Sequence, residues 1–230
     1  MKAIQIVGRK KSGKTSLVVR LLPLLRAHGL RLATVKHSGH PHALDREGSD
    51  SWLHRQAGAE ATLAVTAAAV SFHFDIPETE DRTQALVERY LGEHDLVLIE
   101  GWAGRAGAKI EVVPAGKDGR AKMPRFLDGG ELLAVVLAPG LRPSPEDVAP
   151  WGELQPAGAW APAAAGSALT DAAGAKAAPD AGGAKAAPDA GGGGPIGAGP
   201  ARRSAGAPVP CFLWEDAVAV ARFILDRHES

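Results

Sequence analysis

Gly8-Arg9-Lys10-Lys11-Ser12-Gly13-Lys14-Thr15 decides how this chain is read. The stretch fits G-x-x-x-x-G-K-[ST], and each fixed position has a physical reason. Glycines at 8 and 13 let the backbone curl with its N–H groups turned toward an anion. A helix opening at Thr15 adds unpaired amides and the positive end of its dipole. The Lys14 ammonium can reach β- and γ-phosphates, and the Thr15 hydroxyl can ligate Mg²⁺. Gly8, Lys11, Ser12, Gly13, Lys14, Thr15 and Ser16 are therefore the candidate nucleotide contacts. The flanks agree. Residues 3–7 are a short, almost wholly apolar run suited to a buried parallel strand. Beyond the motif, Leu17, Val18, Leu21, Leu22 and Leu25 share a helical face until Gly29. Arg9, Lys10 and Lys11 form a charge run, and such runs usually face solvent, so their side chains are read as a solvated rim.

Outward from this cradle, strands and helices alternate. Pro23 should kink the first helix. Residues 31–36 read as a second strand, 37–48 as a polar loop, 50–57 as a short helix ended by Gly58, and 61–66 as a third strand. Residues 79–91 are helical, and 96–99, 110–113 and 132–137 are apolar strands. The pattern predicts an α/β protein of the P-loop NTPase kind, with a mostly parallel sheet flanked by helices on both faces. Ligands in that architecture sit beyond the carboxyl ends of the strands. There Asp95-Leu96-Val97-Leu98-Ile99-Glu100-Gly101 ends an apolar strand in a carboxylate. A P-loop protein needs such a group to hold Mg²⁺, directly or through water, so Thr15 and Glu100 are the expected metal side. Gly101 would let the chain approach the γ-phosphate closely.

Charge and composition narrow the partners. Basic and acidic side chains balance at 26 each, which excludes a bulk nucleic-acid binder or a polybasic membrane anchor. No apolar run approaches the ~20 residues of a membrane helix, and no leader peptide is read at the start. The one cysteine, Cys211, rules out an intrachain disulfide and a cysteine-based zinc site, and fits a reducing cytoplasm.

Near Gln155 the composition changes to Ala, Gly and Pro, and GAKAAPDAG at 174–182 recurs unchanged at 183–191. Such a stretch has almost no large apolar side chains to bury. Three regions are expected: a nucleotide-binding domain over 1–154, a flexible low-complexity insertion over 155–208, and a helical C-terminus over 209–230 that docks back. In the last, residues 212–227 regain helical periodicity, with Val218, Ala221, Ile224 and Leu225 on one face. Removing 157–207 should then leave nucleotide affinity intact.

Three histidines, His37, His40 and His42, crowd the loop after the second strand. A polar active-site loop without metal is the preferred reading, because Pro41 and the lack of cysteine make a closed zinc cage hard to build. Asp45, Gly48, Asp50 and Ser51 follow; a carboxylate loop here could orient Mg²⁺, water or a substrate and move with the γ-phosphate. Asp45 is the candidate catalytic residue of the loop, beside Lys14 and Glu100. Asp50 is equally explained as a helix N-terminal charge. His54 and Arg55 are read evenly as ligand contacts or surface residues.

Together GRKKSGKT, ATVKH, the string D-x-x-G-x-D-S-W-x-H-R-x-A-G-A from Asp45 to Ala59, LVLIEGW and KIEVV resemble the molybdopterin-guanine dinucleotide biosynthesis adapter family, MobB, over about residues 2–137. The resemblance implies a P-loop fold that binds GTP and Mg²⁺, often as a homodimer. It implies a partner, the molybdenum cofactor guanylyltransferase that attaches GMP to molybdopterin, and an association with molybdopterin or a molybdoenzyme. At most a slow GTPase is expected. Guanine preference comes from the resemblance alone, since the chain has no N-K-x-D signature. From the residues themselves, a P-loop small-molecule kinase and an interaction protein with a vestigial cradle remain alternatives.

Overall fold

The computed structural model describes residues 2–39, 44–74, 79–127, 131–155 and 208–229. The low-complexity stretch over 156–207 and the histidines His40 and His42 lie outside the described residues. The chain divides into two compact units, residues 1–37 with 86–230, and residues 38–85.

The first unit is built on a seven-stranded sheet. Its strands are β1 (Lys2–Gly8), β2 (Leu32–Lys36), β5 (Leu96–Glu100), β6 (Lys109–Val113), β7 (Leu132–Leu137), β8 (Gly152–Leu154) and β9 (Val209–Leu213), in the order β2-β5-β1-β6-β7-β9-β8. Every pairing within it is parallel. From β1 the chain moves to one side for β2 and β5, then to the other for β6 and β7. The loop after β1 therefore lies at the point where strand order reverses, where α/β sheets open a crevice for ligands.

Helices cover both faces of this sheet. Ile4, Ile6, Leu98, Ile110 and Val112 point to one face, against Leu17, Leu21 and Leu25 of α1 (Lys14–Ala27) and Val220, Phe223 and Ile224 of α5 (Ala217–Glu229). On the other face Val97 and Ile99 meet Val87 and Leu91 from α3 (Glu80–Leu91). Further along, Val135, Leu137 and Cys211 meet Val148 of α4 (Pro145–Val148). The polar Gln5, Lys109 and Glu111 are also buried. The Lys109 ammonium donates to the carbonyls of Arg105 (2.7 Å) and Gly107 (3.2 Å) and pairs with Glu131 (2.6 Å). Burial pushes the Glu111 carboxyl up, partly offset by the Arg125 and Phe126 amides.

Several expectations change. The first helix continues through Pro23, as the sequence places it, with the proline on the exposed side, where water can satisfy the carbonyl that loses its donor. Residues 212–213 belong to β9, and the last helix starts at Ala217. Phe212 is buried in β9 between β7 and β8, while Val218, Ala221, Ile224 and Leu225 lie on the helix as the period predicts. β8 and β9 are adjacent and parallel, and the stretch between them lies outside the described residues.

The second unit contains α2 (Asp50–Gln56) and an antiparallel pair, β3 (Ala61–Val65) and β4 (Val70–Phe74). β3 is thus absent from the parallel sheet. The turn between Thr66 and Ala69 is too short for a crossover, and it closes through the Thr66 N–H to the Ala69 carbonyl (2.8 Å). Leu63 opposes Phe72 and Val65 opposes Val70, and all four are exposed.

Candidate functional site

The cradle follows from the backbone. Gly8 has φ 144°, Gly13 φ 97° and Lys11 φ 61°, so the loop between β1 and α1 turns repeatedly through left-handed geometry. A Cβ on Gly8 would lie 2.5 Å from the Val112 carbonyl oxygen and 2.9 Å from Ser12 Oγ, which leaves glycine as the residue that fits. Ser12 is buried, and its hydroxyl has no hydrogen-bond partner among the described residues. An unpartnered donor on the inside of a glycine loop suits an anion. The side chains of Arg9, Lys10 and Lys11 are exposed, as the rim reading expects.

Beside the loop, four side chains from three elements, α1, β2 and β5, converge. Lys14, at the start of α1, donates to the carbonyls of Gly8 (3.1 Å) and Arg9 (2.7 Å). Burial pulls its ammonium below the ordinary lysine range; Glu100 opposes this and Lys36 adds to it. The Thr15 hydroxyl donates to Glu100 Oε1 at 2.7 Å. Lys36 also pairs with Glu100 Oε1. Glu100 is buried at the end of β5, yet both hard oxygens of the expected metal side meet at its tip. Two oxygen donors flanked by a phosphate loop fit Mg²⁺, which takes oxygen ligands and shares them with phosphates. Among the described residues no group of three His, Cys, Asp or Glu side chains offers a transition-metal cage.

The chain after Glu100 is tightly held. Gly101 has φ 92°, and a Cβ there would lie 2.6 Å from the His37 carbonyl oxygen. Its N–H donates to the Ile6 carbonyl at 3.0 Å. Trp102 follows with φ 55°, and its ring stacks on His37 with centroids 5.2 Å apart and planes 5° from parallel. Ser16 is exposed on the first turn of α1.

Asp45 lies in the second unit, where the Ser49 hydroxyl (3.1 Å) and the Arg46 amide (2.8 Å) donate to Oδ1. Oδ2 faces the Arg55 guanidinium at 3.6 Å. Burial pushes the Asp45 carboxyl up, but hydrogen bonds from Ser51, Ser49 and Arg46 outweigh it and hold the group below the usual carboxylate range. Ser49 caps α2 by accepting from the Trp52 N–H, and Asp50 starts the helix. In this unit, then, the motif string builds its own polar scaffold.

Three residues of the neighbourhood were missed in the sequence. Lys36 reaches Glu100 across a separation of 64 positions. The strand register alone would have revealed it, since Lys36 lies level with Glu100. Trp214, after β9, lies against the cradle: a Cβ on Gly13 would be 3.3 Å from its Nε1. Arg20 of α1 stacks 4.2 Å over the Trp214 ring and donates to the carbonyls of Trp214 and Glu215 at 2.9 Å each. The segment after the low-complexity stretch thereby forms one wall of the phosphate loop.

Comparison with known proteins agrees with this geometry. The profile described as MobB, Molybdopterin guanine dinucleotide synthesis protein B, matches residues 3–138. The molybdopterin-guanine dinucleotide biosynthesis adapter protein of Escherichia coli (strain K12) is 33% identical over 118 residues, covering 50% of this chain and 66% of that protein. The protein of that name from Haemophilus influenzae is 35% identical over 107 residues, covering 46% and 59%. The matches therefore span 59% to 66% of these relatives' lengths. The crystal structure of Bacillus subtilis MobB shares the fold, with a TM-score of 0.54 at 19% identity over 99% of this chain and 98% of that one. The profile match runs from β1 through β7 and takes in the cradle, Lys36 and Glu100, so the chain belongs to the Molybdopterin guanine dinucleotide synthesis protein B family.

Proposed function

We propose that this chain is a GTP-binding adapter in molybdenum cofactor biosynthesis, assisting the guanylyltransferase that joins GMP to molybdopterin. The observation that carries the nucleotide part is the Thr15–Glu100 contact at the mouth of a glycine cradle whose Ser12 hydroxyl has no partner among the described residues. Family membership supports the pathway, while the guanine preference and the partner are what the family resemblance implies. In this reading the loop amides from Gly8 to Gly13, with Lys11 and Ser12, surround the phosphates. Lys14 exchanges its two carbonyl partners for phosphate oxygens, with Ser16 beside it. Thr15 and Glu100 would hold Mg²⁺, which when bound neutralises and orients the phosphate oxygens. Gly101, the residue after Glu100, completes the proposed nucleotide contacts. Asp45 belongs to the proposed hydrolytic set with Lys14 and Glu100, and turnover is slow.

The proposed partners are the guanylyltransferase, molybdopterin or a molybdoenzyme, and a second copy of this chain. The apolar face of the β3–β4 hairpin suits self-association, because exposed apolar patches mark contact surfaces. A cytoplasmic location fits the biosynthetic role. Among the described residues no helix is long and apolar enough to cross a membrane.

Calorimetric titration of GTP and ATP with Mg²⁺ tests the nucleotide reading. GTP should bind more tightly than ATP. Lys14→Ala should weaken GTP at least about tenfold, as expected for loss of a charge-assisted contact, and leave the melting temperature nearly unchanged. Equal GTP affinity in the variant refutes the cradle assignment. A clear ATP preference removes the guanine part and favours a kinase.

A further inference from the structure

Lys36 is placed where folding gives no reason for a cation. It ends β2, level with Glu100 in the parallel register, and its side chain is 61% exposed. Exposed lysine–carboxylate pairs contribute little to stability. Yet its ammonium pairs with Glu100 Oε1, the same oxygen that accepts from Thr15. Lys14 feels it from the other side. Two ammonium groups thus share one carboxylate, and the surplus positive charge lies at the edge of an anion cradle.

That arrangement is exclusive. Lys36 cannot keep Glu100 Oε1 once a divalent cation faces the same oxygen, because two cations would then share one acceptor at contact distance. A lysine released there has a short path to an anion. β5 lies beside β1, and β2 beside β5, so a triphosphate whose Mg²⁺ is held by Thr15 and Glu100 would turn its terminal phosphate toward Glu100 and toward Lys36 on the next strand. We propose that Lys36 senses the γ-phosphate, pairing with Glu100 in the nucleotide-free protein and with the terminal phosphoryl group when a Mg²⁺-triphosphate is bound. A Mg²⁺-diphosphate displaces Lys36 from Glu100 in the same way but offers it no terminal phosphoryl oxygen in exchange. The inference rests on the Mg²⁺-nucleotide reading of the cradle and goes beyond it by naming the group that tells GTP from GDP.

The sensor has an outlet in the chain. His37 follows directly, donates its N–H to the Glu100 carbonyl at 3.0 Å and stacks on Trp102. Ser38 is the first residue of the second unit. A change of partner at Lys36 therefore occurs two residues before that unit begins.

Calorimetry with GTP and GDP, each with Mg²⁺, on wild type, Lys36→Ala and Lys36→Arg tests this. Lys36→Ala should lose about tenfold or more in GTP affinity, the scale of one charge-assisted contact, while GDP affinity changes by less than about twofold. Lys36→Arg keeps the charge and should retain most of the GTP-to-GDP ratio. With Mg²⁺ alone, Lys36→Ala should bind the ion more tightly, because the competing ammonium is gone. An unchanged GTP-to-GDP ratio in Lys36→Ala, or an equal loss for both nucleotides, overturns the assignment while leaving the cradle standing. A wild-type protein that binds neither nucleotide overturns the cradle and this inference together.

Discussion

In the first unit every residue of β5, β6 and β7 is buried, whereas in the second unit β3 alternates exposed and half-buried residues, and the outward face of its hairpin is apolar. The first unit is a closed solution: a parallel sheet must be covered on both faces, and α1, α5, α3 and α4 cover it. Among its described residues the second has a two-stranded sheet, a seven-residue helix with no buried residue on it, and the start of α3. A two-stranded hairpin is marginal alone. What orders its helical end is polar: Asp45, Ser49, Ser51 and Arg55 bonded to one another. The proposed nucleotide site belongs to the closely packed unit, and the exposed apolar hairpin face belongs to the thin one.

The largest effect should come from the closed core. Leu98 is fully buried in the middle of β5, between β1 and β2. Leu98→Ala should cost about 2–5 kcal/mol in urea unfolding, from lost burial and the cavity left behind. A loss below about 1 kcal/mol would mean that the two units differ less in packing than their burial indicates.

How much of this was visible in the residues follows from range. The cradle was legible because its geometry is local: glycines, lysine and threonine at fixed spacing between a strand and a helix. Glu100 was legible because an apolar strand ended on it. Lys36 was not, because its role appears only when β2 and β5 are placed side by side. β9 was hidden by the Ala/Gly/Pro stretch before it, and by Pro210, which speaks against a strand. Pro210 is tolerated because it stands level with Glu153 of β8, before the pairing with β7 begins at Cys211. The β4 signal was present in Val70-Ser71-Phe72-His73-Phe74, which alternates with period two. The buried charges Lys109 and Glu111 looked like interruptions of an apolar strand, and only their partners at Glu131 and Arg125 explain them.

An intermediate effect is expected at Asp45. Its pKa is depressed in the fold, so its stabilising contribution is present above the ordinary aspartate value, about 3.9, and is lost as pH falls through the lower folded value. NMR amide signals of α2 should therefore stay native from pH 7 to about pH 4 and shift only below that. Asp45→Asn should loosen α2 already at pH 7 and remove the acid transition, while leaving the amides of β1, β5 and β6 unchanged. Shifts spread evenly through both units would show that Asp45 supports the whole molecule.

The smallest effect on folding, and the sharpest test of the contrast, is at Leu63 and Val65. These side chains are 59% and 65% exposed, opposite Phe72 and Val70 at 48% and 65%. An exposed side chain has little burial to lose, so the double variant Leu63→Ser, Val65→Ser should unfold within about 0.5 kcal/mol of wild type. Nucleotide affinity should also hold, because no residue of the cradle is altered. What should change is self-association. Four apolar side chains on one sheet face leave water when a second copy covers them, and polar serines remove that gain. Sedimentation velocity should then find wild type dimeric and the variant shifted toward monomer at the same concentration. If wild type sediments as a monomer, the hairpin faces some other partner, and the second unit acts without a second copy.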